Sequence, residues 1–214
     1  MRDTFLGIVR AALIALVMLT GAIAVPILFR PFFYLHIKPF DLANAVGLTV
    51  EQVKAAYNEM MNFCIGLTDT FSVGALSFSQ SGRQHFEDVQ KLFLLDLRVL
   101  VGAGVLLIAV MVLQRKKTIR LWGHTPGFWG AVALGTAGVV IAALAALDFD
   151  RAFAVFHQVF FPGKNNWAFS SVQDPVINIL PSEFFRNCAI LILTIIFISS
   201  TFLLIYDIKS RPKE

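Results

Sequence analysis

Four stretches of this chain, each about twenty residues long, are almost free of charge. Each can cross about 30 Å of hydrocarbon as a helix rising about 1.5 Å per residue. Lipid leaves every backbone N–H and C=O to be satisfied internally, and runs of this length without alternation specify helices, not barrel strands. The stretches are about residues 11–29, 92–113, 128–147 and 187–206. Ala22-Ile23-Ala24 resembles a signal-peptidase site, but the apolar run continues past it, so the first stretch reads as an uncleaved anchor. Composition agrees: 57% of the 214 residues are hydrophobic, 15% are charged, and the mean hydropathy is +0.73. We expect an all-α integral membrane protein, one membrane domain over residues 1–214. Four transmembrane helices would be joined by extracytoplasmic segments 30–91 and 148–186, which form a small membrane-hugging domain.

Charge sets the expected orientation. Arg2, Arg10, Arg115, Lys116, Lys117, Arg120, Lys209, Arg211 and Lys213 crowd the termini and the 114–124 loop. The other nine of the 18 Lys and Arg are spread over the remaining segments, among eleven acidic residues. The positive-inside rule places both termini in the cytoplasm. Of 21 Phe, 17 fall in residues 29–93 and 148–185. Either these segments dip into the outer leaflet and present aromatic surface to acyl chains, or they enclose a Phe-rich core.

Local signals divide the first outer segment. Residues 30–40 are aromatic and proline-broken. Thr49 and Gln52 make a capping-box pattern ahead of an amphipathic helix with Val50, Val53, Tyr57, Met60 and Cys64 on one face, and Gly66 is its stop. Phe71 to Ser79 suits a strand or an extended loop. The next helix should be capped by Ser81, begin at Gly82, and carry a Glu87–Lys91 pair before entering the second span. Thr125-Pro126 opens the third span, where Ala131 with Gly135 and Gly138 with Ala142 suggest close helix packing.

The titratable groups of interest lie where helices meet the membrane. His85, Asp88 and Leu92 share a helical face, with Asp96 further along the stripe. His157 sits in a short helix with Phe153 and Phe161 one turn away on either side. His36 is also outside, and His124 is cytoplasmic. A partly desolvated imidazole stays neutral and can act as a base. Asn165, Asn166 and Trp167 offer uncharged donors to an oxyanion, or serve as interfacial anchors. Asp174-Pro175 makes a turn. No nucleophile-elbow serine, phosphate loop, dinucleotide fingerprint or H-E-x-x-H is present, and the basic residues are accounted for by topology, so nucleic acid is not an expected partner. Cys64 and Cys188 can be separate buried thiols or a disulfide. Three other readings fit these residues. One is a metal-dependent hydrolase using His36, His85 or His157 with Asp88 or Asp174, against which the missing H-x-x-x-H spacing counts. A second is a haem protein with His85 and His157 as axial ligands, and a third is a non-catalytic four-helix scaffold.

The chain resembles the bacterial lipoprotein intramolecular transacylase family. The likeness rests on His85-x-x-Asp88-Val89-x-Lys91 before the second span. It rests also on Phe156-His157, Phe160-Phe161, Asn166-Trp167, Asp174 and Pro181-Ser182-Glu183-Phe184-Phe185 before the fourth. The resemblance implies transfer of the sn-2 acyl chain of a diacylglyceryl lipoprotein to the α-amino group of its own N-terminal cysteine, giving a lyso-form lipoprotein. It implies His85 and His157 as the catalytic pair, with Asp88, Lys91, Asn166, Trp167 and Asp174 supporting them or binding substrate. His85, oriented by Asp88, is read as the base and His157 as its acid partner. It also implies no cofactor and no metal. The partners would be diacylated lipoproteins and membrane lipids, and the place a multi-pass position in the bacterial cell membrane with the site at the outer leaflet.

Overall fold

A computed structural model describes residues 2–114 and 119–211. Arg115, Lys116, Lys117 and Lys213, counted above for orientation, lie outside the described residues. The described chain is helical and has no strand beyond one isolated bridge pair. Its helices are α1 (Arg2–Leu28), α2 (Pro31–Ile37), α3 (Leu42–Ala45), α4 (Val50–Cys64), α5 (Gln80–Leu113), α6 (Pro126–Leu147), α7 (Phe149–Phe160) and α8 (Ser182–Lys209), with a 3₁₀ turn at Pro175–Ile179. Four of them, α1, α5, α6 and α8, are long and apolar enough to cross a membrane. The 34-residue α5 is about 50 Å long at about 1.5 Å per residue. Its apolar part, residues 92–113, already covers the hydrocarbon thickness, so the polar turns of residues 80–91 lie outside the span. Val101, Val105, Ile108 and Val112 line one exposed stripe of that apolar part, as a lipid-facing surface requires.

The chain divides into two compact units. The first comprises residues 1–24, 96–146 and 190–214. Small residues set its spacing. A Cβ at Gly130 would stand 3.0 Å from the Ala11 carbonyl oxygen, so α6 meets α1 nearly backbone to backbone there, and one at Gly138 would stand 3.4 Å from the Phe197 ring, for which that glycine leaves room. The loop before α6 is tied to the end of α8 by Asp207, which is fully buried. Its carboxylate accepts the Thr125 backbone N–H at 2.6 Å, meets His124 Nδ1 at 2.9 Å and pairs with Arg211 at 3.3 Å. Thr125 Oγ1 in turn caps α6.

The second unit comprises residues 25–95 and 147–189. Its core is aromatic. Phe33 stacks on Tyr57 with ring centroids 3.7 Å apart, and Phe184 meets Phe33 edge-on at 5.3 Å. The Thr49–Gln52 capping box forms in both directions, and Val53, Tyr57, Met60 and Cys64 bury the expected face of α4. Gly66 ends that helix at φ 73°. Cys64 and Cys188 are free thiols. Residues 71–79 form an extended loop, because they have no strand to pair with. Glu59 of α4 holds them instead, accepting the Ser72 hydroxyl at 2.6 Å and the Gly74 N–H at 3.0 Å. Helix α5 starts earlier than the Ser81 cap implied. Ser79 Oγ accepts the Gly82 N–H at 2.9 Å, and the helix runs from Gln80. Glu87 pairs back to Arg83 at 3.0 Å and not forward to Lys91, which turns to Asp88 at 3.2 Å.

Candidate active site

Two helices of the second unit carry the imidazoles. His85 lies on the second turn of α5 and His157 near the end of α7; both are buried. The two rings face each other with centroids 5.8 Å apart, tilted by 32°. Aromatic side chains wall them in. Phe161 lies 5.0 Å and Phe169 5.3 Å from His85, and Phe153 lies 4.3 Å from His157. The Trp167 ring stacks on His157 at 4.7 Å.

Helix α7 has two faces for a reason visible in its sequence. Asp148 caps it by accepting the Arg151 N–H. His157 and Phe153 turn inward, and Val155, Phe156, Val159 and Phe160 stay exposed as one apolar stripe. A single residue, Asp148, separates the helix from the end of α6.

The surroundings fix the protonation chemistry. Burial lowers the His85 pKa to about 4, and the neighbouring His157 pushes it the same way, against the opposing pull of Asp88 and Asn166. Burial also lowers His157, although the Phe153 carbonyl favours its protonated form. That carbonyl stands 2.8 Å from His157 Nδ1. A carbonyl only accepts, so Nδ1 carries the proton and Nε2 carries the lone pair. His85 Nδ1 and Asn166 Oδ1 are buried without a hydrogen-bond partner.

The expected supporting residues come together here, in parts different from those the sequence suggested. Asp88 makes no hydrogen bond to His85 among the described contacts. Its carboxylate takes Lys91 at 3.2 Å, Lys164 at 2.5 Å and the Asn166 amide at 3.4 Å. Burial pushes the Asp88 carboxyl up, but these three donors outweigh it and hold the group below the usual carboxylate range. Asp88 therefore acts on His85 through its charge and holds Asn166, which stands beside His85. The Trp167 indole N–H is spent on the Lys164 carbonyl at 3.0 Å, so Trp167 offers the site a ring face and not an oxyanion donor. Asp174 is 3% exposed and faces no solvent. It accepts the Ser79 N–H at 2.7 Å and the Ser79 hydroxyl at 2.8 Å, fastening the start of α5. Lys164 is the polar member the sequence reading missed: nothing in a lone Lys after Pro-Gly marks it as the partner of a carboxylate 76 residues away.

His36 has partners of its own outside the pair. His36 donates from Nδ1 to the Phe32 carbonyl at 2.7 Å and meets the Asn187 amide through Nε2 at 2.9 Å, so both its nitrogens are satisfied. Among the described residues, no three His, Cys, Asp or Glu gather as metal ligands.

Comparison with known proteins identifies the family and the fold. The family model described as "Lipoprotein intramolecular transacylase Lit" matches residues 8–185. The solved structure of the membrane integral lipoprotein intramolecular transacylase Lit from Bacillus cereus superposes with a TM-score of 0.88 at 22% identity. The match covers 97% of this chain and 96% of that one. Two variants of the Bacillus cereus protein, carrying H85R and H85A mutations in its own numbering, each match with a TM-score of 0.81 at 22% identity. These matches cover 97% of this chain and 92% and 94% of theirs. No curated protein sequence matches the chain. The chain belongs to the lipoprotein intramolecular transacylase family: it is a multi-pass membrane protein and an acyltransferase.

Proposed function

We propose that the enzyme moves the sn-2 acyl chain of a diacylglyceryl lipoprotein onto the α-amino group of the same cysteine, with His85 and His157 performing the chemistry at the outer leaflet. The observation that carries this reading is the pair of buried, facing imidazoles in an aromatic pocket. The substrate brings its own nucleophile, so the protein needs only proton transfer and charge stabilisation. Amine and ester on one molecule also gain effective molarity.

The geometry supports a definite division of roles, the reverse of the one taken from the sequence. His157 Nε2 has its lone pair free and its Nδ1–H supported by a carbonyl, which suits a general base. The neutral α-amine attacks the ester carbonyl carbon, and His157 Nε2 takes one amine proton. His85, kept neutral by its surroundings, donates its ring N–H to the developing oxyanion, as a neutral imidazole with a depressed pKa can. Collapse of the tetrahedral intermediate breaks the bond to the glyceryl oxygen, and the His157 imidazolium returns its proton to that oxygen. All atoms of the substrate remain in the product. Repulsion between the two rings keeps the pair to one added proton at a time. The exposed apolar stripe of α7, joined to a membrane-length helix through one residue, supports a site at the level of lipid esters.

A diacyl lipopeptide incubated with purified enzyme, without added lipid, tests the reaction. Its mass should stay constant while one acyl chain becomes resistant to mild alkali, and a label on the sn-2 chain should appear on nitrogen undiluted by excess phospholipid. A mass lower by one acyl chain would mean hydrolysis, and a diluted label would mean an external donor. Glutamine substitutions test the roles, since an amide can donate but cannot take a proton. His157→Gln should be as inactive as His157→Ala, down about 10²–10⁴-fold, whereas His85→Gln should retain about tenfold more activity than His85→Ala. The opposite pattern would restore His85 as the base.

A further inference from the structure

We propose that Lys164 is a positioning residue for the acyl shift, holding segment 164–169 against the histidine pair through its ion pair with Asp88. The inference rests on the reading of His85 and His157 given above and adds a residue that the family description does not contain.

Segment 164–169 supplies three contacts to the pair: the Trp167 ring on His157, the Phe169 ring against His85, and the Asn166 amide beside His85. The segment follows the left-handed Gly163, at φ 73°, and has no regular secondary structure. Its polar tie to α5 is Asp88, which accepts Lys164 Nζ and Asn166 Nδ2 on one oxygen, Oδ2, and leaves the other for Lys91. The Lys164 carbonyl also receives the Trp167 indole N–H, so the residue that grips Asp88 orients the ring stacked on His157. The two lysines differ in reach. Lys91 is bound within α5 itself and its side chain is 76% exposed, so losing it frees no loop. Lys164 crosses from the loop to the helix, with Asp88 only 10% exposed beneath it. An exposed ion pair alone contributes little to stability. Its effect here is local: it selects among the positions the loop can take, and misplacing a site group by about 1 Å can lower the rate by about 10²-fold.

The test uses the full-length enzyme in phospholipid vesicles with a diacyl lipopeptide. Lys164→Met should lower kcat about 10- to 100-fold with KM within about twofold, and Lys164→Arg should recover most of the loss. Acrylamide quenching of Trp167, taken as the difference between each chain and its Trp167→Phe counterpart, should rise in Lys164→Met and return to the original level in Lys164→Arg. Asp88→Asn should reproduce both effects, and the Asp88→Asn/Lys164→Met double variant should be no worse than Asp88→Asn alone. The proposal is overturned if Lys164→Met turns over normally, if its kcat falls while Trp167 stays protected, or if the two substitutions multiply. An unaltered enzyme that leaves the lipopeptide unchanged would refute the transacylase reading instead, and the quenching comparison would still decide whether Lys164 holds the loop.

Discussion

Gly82→Ala should damage this enzyme, although helix propensity alone predicts the opposite. Gly82 lies in the first turn of α5, and replacing a helical glycine by alanine normally stabilises by up to about 1 kcal/mol. Here the new Cβ would stand 2.2 Å from Asp174 Oδ1, 2.8 Å from its Cγ and 3.2 Å from a Phe169 ring carbon. Asp174 cannot step aside freely, because both its oxygens hold Ser79 and the carboxylate is buried. A hydrogen bond to a charged group is worth about 1.5–3 kcal/mol, so losing one of the two outweighs the propensity gain of about 1 and leaves a net cost of about 0.5–2 kcal/mol. The start of α5 also moves, and His85 lies one turn further along. The measurements are the half-life of the detergent-solubilised enzyme at a fixed elevated temperature, since membrane enzymes rarely unfold reversibly, and the rate of lipopeptide conversion. We expect a shorter half-life and a conversion rate at least about tenfold lower. Adding Asp174→Ala should cost less in the Gly82→Ala background than alone, because the clash has already broken what Asp174 held. A Gly82→Ala enzyme as durable and active as the original would refute the argument that Asp174 pins the catalytic helix.

Three further outcomes are expected. His36→Ala and His124→Ala should each shorten the thermal half-life while leaving the rate per folded molecule within about threefold, because His36 joins α2 to Asn187 and His124 covers the fully buried Asp207; a large loss of rate at unchanged durability would give either histidine a part in the chemistry. For pH, the substrate amine, with a pKa of about 8, gives log kcat/KM a slope of about one below that value, and a histidine of ordinary pKa would steepen it to two near pH 6.5. Burial depresses both histidines, and the neighbouring His157 adds to this at His85, so the neutral forms persist to lower pH and the steepening should come clearly below 6.5; a break at or above 6.5 would contradict the depressed pair. Finally, in a chain lacking Cys64 and Cys188, spin labels at Val155 and Val159 should be more accessible to oxygen than to a water-soluble nickel complex, and labels at Arg151 and Gln158 the reverse; an aqueous environment at all four would remove α7 from the leaflet.

What the sequence displayed clearly was whatever depends on neighbours in the chain. The four apolar helices follow from run length, the α4 capping box from Thr49 and Gln52, and the α7 helix with Phe153 one turn before His157 from their spacing of four. The histidines were visible as candidates because a titratable ring beside phenylalanines at a helix entry is unusual on composition alone. The parts assigned to their neighbours were harder to read, because each is decided by a contact across long stretches of chain. Asp174 looked like a turn residue beside proline, yet its carboxylate is committed to Ser79, 95 residues earlier. Trp167 looked like a donor, yet its N–H is used within its own loop. Lys164 gave no local signal, yet it meets the same carboxylate as Asn166.

The same distinction bears on the proposed mechanism, in which the site works without a nucleophile of its own. A protein nucleophile needs a dedicated base and a fixed attack trajectory, and such pairs often leave a short local motif. On the proposed mechanism the protein needs only two neutral imidazoles held about 6 Å apart among aromatic rings, with one tautomer of His157 imposed by a backbone carbonyl. Two of the three contacts behind that arrangement are long-range. Asp174 binds Ser79 at the start of α5, the Asp88–Lys164 pair is the proposed hold on the Trp167 loop, and the Phe153 carbonyl fixes which nitrogen of His157 is bare. Disturbing any of the three should therefore impair turnover without removing either histidine, and each by a different measurable route: helix start, loop protection, and the identity of the base.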